Sequence, residues 1–339
     1  MTRATWIIGA LVGLHMLILL AGFTAPYDPT AQTRTMPFAP PARIHLFDRQ
    51  GRFHIRPFVY ALSADANGET YSEDASALFP VRLLTRGSRY TLLPGVTSDL
   101  HLFGVDDPAR LAIFGTDGYG RDVYSRVLYG ARVSIAAGVV ATLCALLVGT
   151  ILGTLAGFCD GIVDRMVMRA ADVFMAVPWL YLLFAVRAAL PLHLDTRAAF
   201  LMLVAVLGIV GWARPSRMVR GIVLSAKERA YVLAAEGFGA RPLYILRRHV
   251  VPHTYGVVLT QAGLLVPQFI LAEVTLSFLG LGVGEPEASL GSMLGTLQQY
   301  HVLASYWWMF APALALVAVA TAYHALTSLG HERARLVAS

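Results

Sequence analysis

Long apolar runs alternate with polar segments along the chain, and six of these runs predict membrane-spanning helices. A helix needs about 20 mostly apolar residues to cross a bilayer. The runs are Thr5–Phe23, Val133–Phe158, Ala170–Leu190, Ala198–Met218, Thr254–Gly282 and Trp307–Leu329. The third is the weakest prediction, because Pro178 and Arg187 interrupt it. The pattern therefore predicts an all-α polytopic membrane protein with six transmembrane helices.

The first run favours a retained N-terminal transmembrane anchor, residues 1–23, over a cleaved signal peptide. A signal peptide has an apolar core of about 7–15 residues that ends at a small-x-small cleavage site. Here the apolar core is longer, and Ala25 is followed by Pro26. We therefore expect this helix to remain part of the protein.

The long polar segment 24–131 predicts an ordered insertion with an interfacial segment, not a linker. Apolar and aromatic residues recur throughout it, and short β-type runs occur at Phe58–Tyr60 and Tyr90–Leu93. Its eleven arginines and eleven acidic residues balance each other. We expect an α/β or β-containing fold, and the sequence indicates no role for its part 37–111.

Composition agrees with the apolar pattern. Of 339 residues, 56% are hydrophobic and only 14% are charged, against about 25% charged in a typical soluble domain. These values exclude a soluble globular domain and a disordered chain. The two cysteines and the ten scattered histidines have no spacing that predicts a disulfide framework or a metal site.

Basic residues determine the predicted orientation. The segment Arg214–His253, here called the basic loop, contains eight Lys/Arg and two acidic residues. Basic loops stay cytoplasmic, whereas long domains cross the membrane largely regardless of charge. Six spans then place both termini, including the tail 330–339, in the cytoplasm and segment 24–131 outside. The net charge of +6 thus comes from basic residues that orient the chain in the membrane. It indicates no nucleic-acid partner.

The basic loop has the pattern of two short helices joined by a turn. Lys227–Glu236 contains good helix formers, Gly237 and Gly239 interrupt them, and Pro242 can open a second helix. Ala234 and Ala235 give a flat surface that a partner can approach closely. Two interpretations stay open from the residues alone: a helix–turn–helix that docks a partner, or an ordinary amphipathic interfacial helix.

No residue pattern predicts catalysis by this chain. A phosphate-binding P-loop needs Gly-x-x-x-x-Gly-Lys-Ser/Thr, but the single lysine, Lys227, is followed by Glu228. An intramembrane hydrolase would need a Ser/His or paired-Asp constellation at one depth, and we find none at usable spacing. A transport subunit and a membrane-anchored sensor or scaffold that uses the insertion remain as function classes.

The basic loop resembles the "EAA" loop of ABC importer permeases. The shared residues are Ala234, Ala235, Gly239 and, thirteen residues on, Pro252. The glutamate that the family usually has before the two alanines is Leu233 here. In that family the loop forms the coupling helix that docks into a groove of the ATPase subunit.

Two further stretches resemble the peptide/nickel permeases, in the subunit of the dipeptide and oligopeptide "C" type. Gly115–Ser134 is similar to the family pattern GTDxxGRDxxSRxxYGARxS. Leu276–Gly282, followed by Pro286, is similar to LSFLGLG. The resemblance covers about 114–329, with three motifs in the expected order.

The resemblance implies a type I ABC importer permease fold, with a transmembrane domain over 132–329 and a coupling loop over 220–253. It implies a non-catalytic subunit of the bacterial inner membrane that forms half of a translocation path for peptides. Nickel or another small solute is the alternative cargo. The implied partners are a second homologous permease, two ABC ATPase subunits that bind the ATP, and an extracytoplasmic solute-binding protein. No cofactor of its own is implied.

Three sets of candidate site residues follow. The coupling set is Ala234, Ala235, Glu236, Gly239, Arg241 and Pro252. The set from the family's outer motif, here called the GTD motif (Gly115–Arg126), is Gly115, Thr116, Asp117, Gly120, Arg121, Asp122 and Arg126. The translocation-path or gate set is Glu273, Pro267 and Ser277.

Two of these sets have a structural alternative that we favour. A carboxylate at the bilayer centre costs roughly 2–3 kcal/mol, so Glu273 either faces a path or makes a helix–helix hydrogen bond. Pro267 in the same run predicts a kink that exposes carbonyl groups. The charges of the GTD motif predict either a gate or docking surface, or a short interfacial helix with exposed Asp–Arg pairs.

Overall fold

The computed structural model describes residues 3–65, 70–93, 95–188 and 196–338. The helices are α1 (Arg3–Leu19), α2 (Ala21–Thr24), α3 (Val123–Cys159), α4 (Gly161–Ala176), α5 (Trp179–Ala188), α6 (Thr196–Gly211), α7 (Ala213–Lys227), α8 (Ala230–Gly237), α9 (Pro242–Ile245), α10 (Val251–Phe278), α11 (Leu290–Gly295), α12 (Tyr300–Ser305) and α13 (Ala311–Ala338). The strands are β1 (His45–Phe47), β2 (Phe53–Ala64), β3 (Tyr71–Pro80), β4 (Arg82–Leu93) and β5 (Val96–Gly104).

Several of these helices are long and apolar enough to cross a membrane. Within the described residues three qualify alone: Val123–Cys159, Pro242–Phe278 and Trp307–Ala325. A fourth is the pair Phe200–Gly211 and Ala213–Lys227, which is bent by 42°. Six spans therefore stay a prediction, since the first and third apolar runs are not among these four.

The third apolar run is interrupted at Pro178, as the sequence pattern predicted. Helix α4 ends before Val177, whose backbone is extended at ψ 128°. A proline disfavours the helical conformation of the residue before it, so Pro178 accounts for the break. The end of the run, at Leu190, lies outside the described residues.

The chain forms two compact units, residues 1–134 with 274–319 and residues 135–273 with 320–339. The first unit contains the strands. An antiparallel sheet has the order β1-β2-β3, and β4 and β5 form an antiparallel pair. Val59 lies opposite Phe79 and packs in a core with Ala109 and Leu111. The strands predicted at Phe58–Tyr60 and Tyr90–Leu93 are confirmed, as parts of β2 and β4.

In the second unit, a stripe of three glycines lets α3 approach the backbone of α7. The glycine stripe is Gly149, Gly153 and Gly157, one helical turn apart. A Cβ atom at Gly149 would lie 2.8 Å from the carbonyl oxygen of Trp212, and one at Gly153 would lie closer still to that of Ser216. Only a hydrogen fits at these positions, as in closely packed membrane helices.

Three ion pairs hold α4 and its N-cap residue against α7. This ion-pair ladder joins Arg217 to Asp172, Arg220 to Asp164, and Lys227 to Asp160. The Arg220 guanidinium donates to Asp164 at 2.6 Å (Nη2–Oδ2) and holds the pKa of that carboxyl below its ordinary value. Lys227 Nζ lies 2.5 Å from Asp160 Oδ2 and also donates to the carbonyls of Gly157 and Phe158. The lysine thus caps the C-terminal end of α3.

We predict that Gly153→Ala destabilises the protein whereas Gly221→Ala does not. Alanine is favoured over glycine inside a helix by about 1 kcal/mol at either site. A Cβ at Gly221 meets no atom within 4 Å, but at Gly153 it overlaps the α7 backbone. Overpacking of this kind costs typically 1–3 kcal/mol. Thermal unfolding of both variants in detergent measures the difference, and equal midpoints would contradict the close approach of α3 and α7.

Candidate functional site

The basic loop folds as two short helices and a turn, but with different bounds from those predicted. The prediction of an unbroken helix over 227–236 is wrong, because α7 ends at Lys227 and α8 begins at Ala230. Between them, Arg229 has an extended backbone at ψ 139°. Lys227 points back to the end of α3, which fixes the last turn of α7 and lets the chain change direction there.

The turn after α8 is the one that the glycine pattern predicted. Gly239 has φ +79°, a left-handed conformation that glycine adopts without strain. Its N–H donates to the carbonyl of Glu236 at 2.8 Å, and that of Ala240 donates to Ala235 at 3.0 Å. Pro242 then occupies the first turn of α9, where a missing N–H has no consequence. Both predictions about this turn are confirmed.

The inner side of the loop packs on a core, and its outer side carries exposed apolar residues. Val232 and Ile245 are buried against α7, with Ala235 partly buried beside them. Of the coupling set, Ala234, Glu236, Gly239, Arg241 and Pro252 are exposed. Phe238 is 92% exposed at the tip of the turn. Phe238 is not among the predicted site residues, although a phenylalanine between two turn glycines is a detectable signal.

The GTD motif is an irregular, buried segment ahead of α3. A short interfacial helix was predicted here and is wrong for 115–122, where Thr116 instead forms an isolated antiparallel bridge with Asp122. Asp117 Oδ1 accepts hydrogen bonds from the N–H groups of Tyr119 and Arg121, which closes a tight turn. Gly120 has φ +68°, and a Cβ there would overlap the carbonyl of Thr33.

Three of the four charged side chains of the GTD motif, those of Asp117, Arg121 and Arg126, are buried and paired, so the prediction of exposed pairs is also wrong. Arg121 Nε donates to Asp117 Oδ2 at 2.7 Å. The Glu285 carboxylate accepts from both Arg121 and Arg126, in each case from Nη2 at 3.1 Å. The two arginine side chains are only 3% and 2% exposed. Glu285 was missed because 159 positions separate it from Arg126.

The remaining polar residues of the GTD motif anchor it to neighbouring segments. Thr116 Oγ1 accepts from the N–H of Ala39 at 2.8 Å and donates to the carbonyl of Met36. The Trp308 indole N–H donates to the Thr116 carbonyl at 3.1 Å. Gly115 has φ +65°, and a Cβ there would lie 3.0 Å from the Trp308 ring. The motif is therefore a packed junction within the first unit.

Asp122 caps α3 in an environment that disfavours its charge. Its Oδ2 accepts from the Ser125 N–H at 2.7 Å and from the Ser125 hydroxyl at 2.6 Å. Its Oδ1 is buried and has no hydrogen-bond partner among the described residues. Burial raises the pKa of Asp122 to about 6, although the Ser125 hydrogen bonds oppose the shift.

The translocation-path or gate set lies along α10. Glu273 is fully buried, Pro267 lies inside the helix and is half-buried, and Ser277 is buried. The Ser277 hydroxyl accepts from the N–H of Val283 at 3.2 Å, beyond the end of α10. The burial of Glu273 fits the helix-packing alternative, and a role in a path stays a prediction.

We predict that Asp122→Asn raises stability at pH 8 but not at pH 4. The asparagine oxygen can still cap α3, while no charge is buried. In the wild type the folded-state pKa is raised to about 6 from 3.8, so wild-type stability falls as pH rises through this window. Thermal unfolding at the two pH values measures the gap. Asp122→Ala, which loses the cap at a cost of about 1 kcal/mol, is the control. A lower midpoint for the asparagine variant at pH 8 would contradict the assignment.

Comparison with known proteins gives a family match over the second half of the chain. The family described as "Binding-protein-dependent transport system inner membrane component" matches residues 149–335, more than half of the chain. A solved amino acid ABC transporter chain is 17% identical, covers 61% of this chain and 94% of its own, and has a TM-score of 0.47. At that distance the structural likeness carries no argument.

Curated relatives align over about two thirds of their lengths. The dipeptide transport system permease protein DppC of Bacillus subtilis (strain 168) is 38% identical over 63% of this chain and 65% of its own. The oligopeptide transport system permease protein OppC of the same organism is 39% identical over 64% and 69%. The glutathione transport system permease protein GsiD of Shigella flexneri serotype 5b (strain 8401) is 39% identical over 63% and 68%. The chain therefore belongs to the family of binding-protein-dependent transport system inner membrane components.

Proposed function

We propose that this chain is a permease subunit of an ATP-binding-cassette importer for peptides, with the six-helix type I permease fold. The observation that carries the proposal is the tip of the basic loop, where Phe238 is 92% exposed on a turn that is packed firmly from below. An exposed aromatic residue on a rigid turn suits insertion into a partner's groove. The family membership supports the same function.

The basic loop has the attachments that a coupling element needs. Its inner residues Val232 and Ile245 pack against Val219 and Val223 of α7. The glycine stripe and the ion-pair ladder fix α7 in turn, and α7 leads to the 42° bend with α6. A displacement of the loop by a partner would thus move α7 together with α3 and α4.

The energy source in this proposal lies in other subunits. The chain has no P-loop, because its single lysine is followed by Glu228, and Lys227 is held by Asp160. We propose that two ATPase subunits bind the basic loop and its counterpart on a second permease, and that a solute-binding protein delivers the cargo. The basic loop and both termini are then cytoplasmic, in agreement with the excess of basic residues.

Peptides are the cargo that the relatives favour. The names of the three relatives specify dipeptides, oligopeptides and glutathione, which are all short peptides. On this basis we prefer a peptide to nickel or another small solute. Within α10 we propose Pro267 as the point of bending and Glu273 as a helix-packing residue beside the path, because Glu273 is fully buried.

We predict that Gly239→Asp abolishes peptide uptake but permits folding and membrane insertion. The substitution puts a charge on the docking turn. Gly51→Asp is a matched control, because Gly51 has nearly the same φ (+78°) and its Cβ would likewise meet no atom within 4 Å. Both variants should lose similar stability, on the order of 1–2 kcal/mol. Uptake by whole cells and membrane content are measured together, and normal uptake by the Gly239 variant would remove the coupling role.

We predict that Phe238→Ser weakens the association with the ATPase subunits at least tenfold without lowering the unfolding temperature. The reason is that the exposed ring contributes to docking and to no internal core. Tyr300→Ser is the control, since Tyr300 is 81% exposed but lies in α12. Co-purification at rising detergent and salt concentrations provides the measurement. Unchanged recovery of the ATPases with the Phe238 variant would contradict docking through the tip.

A further inference from the structure

A cavity of about 200 Å³ lies in the second unit, where two helix breaks and a proline-containing part of α10 line it. Val177 and Pro178, at the break between α4 and α5, line one side. Gly211, at the bend between α6 and α7, lines another. Gln268, which follows Pro267 in α10, lines a third.

Helix breaks that line a cavity are a feature of ligand sites in transporters. Irregular backbone at membrane depth is tolerated where it lines a cavity, since its polar groups need partners. Discontinuous helices form the substrate sites of many transporters in this way. Most of the cavity wall is apolar, with the rings of Phe174 and Phe269 among its residues. Its two polar side chains are Arg214 and Gln268.

Arg214 differs from the other basic residues of α7. Arg217, Arg220 and Lys227 each pair with a carboxylate of the ion-pair ladder. Arg214 makes no hydrogen bond or ion pair with any residue in the described ranges, and α4 offers no acidic residue beyond Asp172. Arg214 is exposed and lies in the first turn of α7, near the end of the fourth apolar run. A cation without a protein carboxylate, lining a cavity, is suited to an anionic ligand.

We infer that this cavity receives the C-terminal carboxylate of a peptide during its passage, with Arg214 as the recognising cation. A guanidinium binds a carboxylate through two parallel hydrogen bonds, and the Gln268 amide can supply a further donor. A volume of about 200 Å³ exceeds the share of one water, about 30 Å³, several-fold. The cavity therefore accommodates the end of a peptide, and its apolar wall contacts the side chain of the terminal residue.

This inference rests on the proposed function and makes it more specific. Passage requires that a site bind its cargo strongly enough to admit it and weakly enough to release it. A single arginine beside an apolar wall meets both conditions. The free carboxylate is common to peptides of every sequence, so this contact does not depend on which residues the peptide contains.

The first test measures uptake of radiolabelled trialanine by the complete transporter in proteoliposomes, with its ATPases and a saturating amount of its binding protein. Arg214→Gln should reduce uptake at least tenfold, and Arg214→Lys should retain part of it. Arg165→Gln is the matched control, an equal loss of charge on exposed α4 surface, and should stay within twofold of wild type. Uptake by the Arg214→Gln variant within twofold of wild type would overturn the inference.

The second test separates carboxylate recognition from a structural need for charge. Arg214→Cys is made in a Cys144→Ser, Cys159→Ser background, because both native cysteines are exposed. Modification with 2-aminoethyl methanethiosulfonate, which adds a cation, should restore uptake at least fivefold, and the anionic 2-sulfonatoethyl reagent should not. Trialanine should slow the labelling at least threefold.

Each outcome of the second test decides a different point. Equal restoration by both reagents, or labelling that trialanine does not slow, would overturn recognition of a carboxylate by Arg214. Absence of trialanine uptake by the wild-type transporter would overturn the proposed peptide import and, with it, this inference. Normal wild-type uptake with unaffected Arg214 variants would leave peptide import standing and remove the site alone.

Discussion

The close approach of α3 to α7 is the constraint on which the second unit depends. Three glycines one turn apart expose the α3 backbone, and α7 lies against it so closely that a Cβ at Gly157 would come within 2.8 Å of Val223. Lipid-embedded helices gain little from the hydrophobic effect on association, so such dense contact supplies much of their attraction. The ion-pair ladder then adds α4 on another side of α7. With both neighbours fixed, α7 can move only as one body.

Coupling through the basic loop depends on that rigidity of α7. Its C-terminal end carries the packed base of the basic loop, so a force on the exposed tip at Phe238 is transmitted to α7. Its N-terminal end meets α6 at the 42° bend, where Arg214 lines a cavity. The helix is 15 residues long, so its two ends are roughly 20 Å apart at 1.5 Å per residue. One rigid element thus connects the docking surface with the cavity.

Sequence patterns predicted the local features well and the long-range ones poorly. The turn at Gly239, the helix start at Pro242 and the break at Pro178 follow from backbone chemistry that acts within a few residues. By contrast, Arg126 pairs with Glu285 across 159 positions, and no local pattern carries that information. Exposure was misjudged for the same reason, because the burial of Asp117 and Arg121 depends on segments far away in the chain. The bound of α7 at Lys227 likewise reflects a bond to α3.

A charged side chain in an apolar protein is stable in two kinds of environment, and this chain contains both. Pairing of a buried guanidinium is one, since its burial is tolerable when carboxylates accept its hydrogen bonds, as the half-exposed Glu285 does for the buried Arg121 and Arg126. The other is to face a solvated or ligand-filled cavity, which applies to Arg214 because α4 provides no carboxylate beside it. An arginine with a purely structural role at position 214 would be more stable if it paired with a carboxylate, as Arg217 does with Asp172. The position of Arg214 at a cavity lined by two helix breaks therefore favours a carboxylate that comes from the cargo.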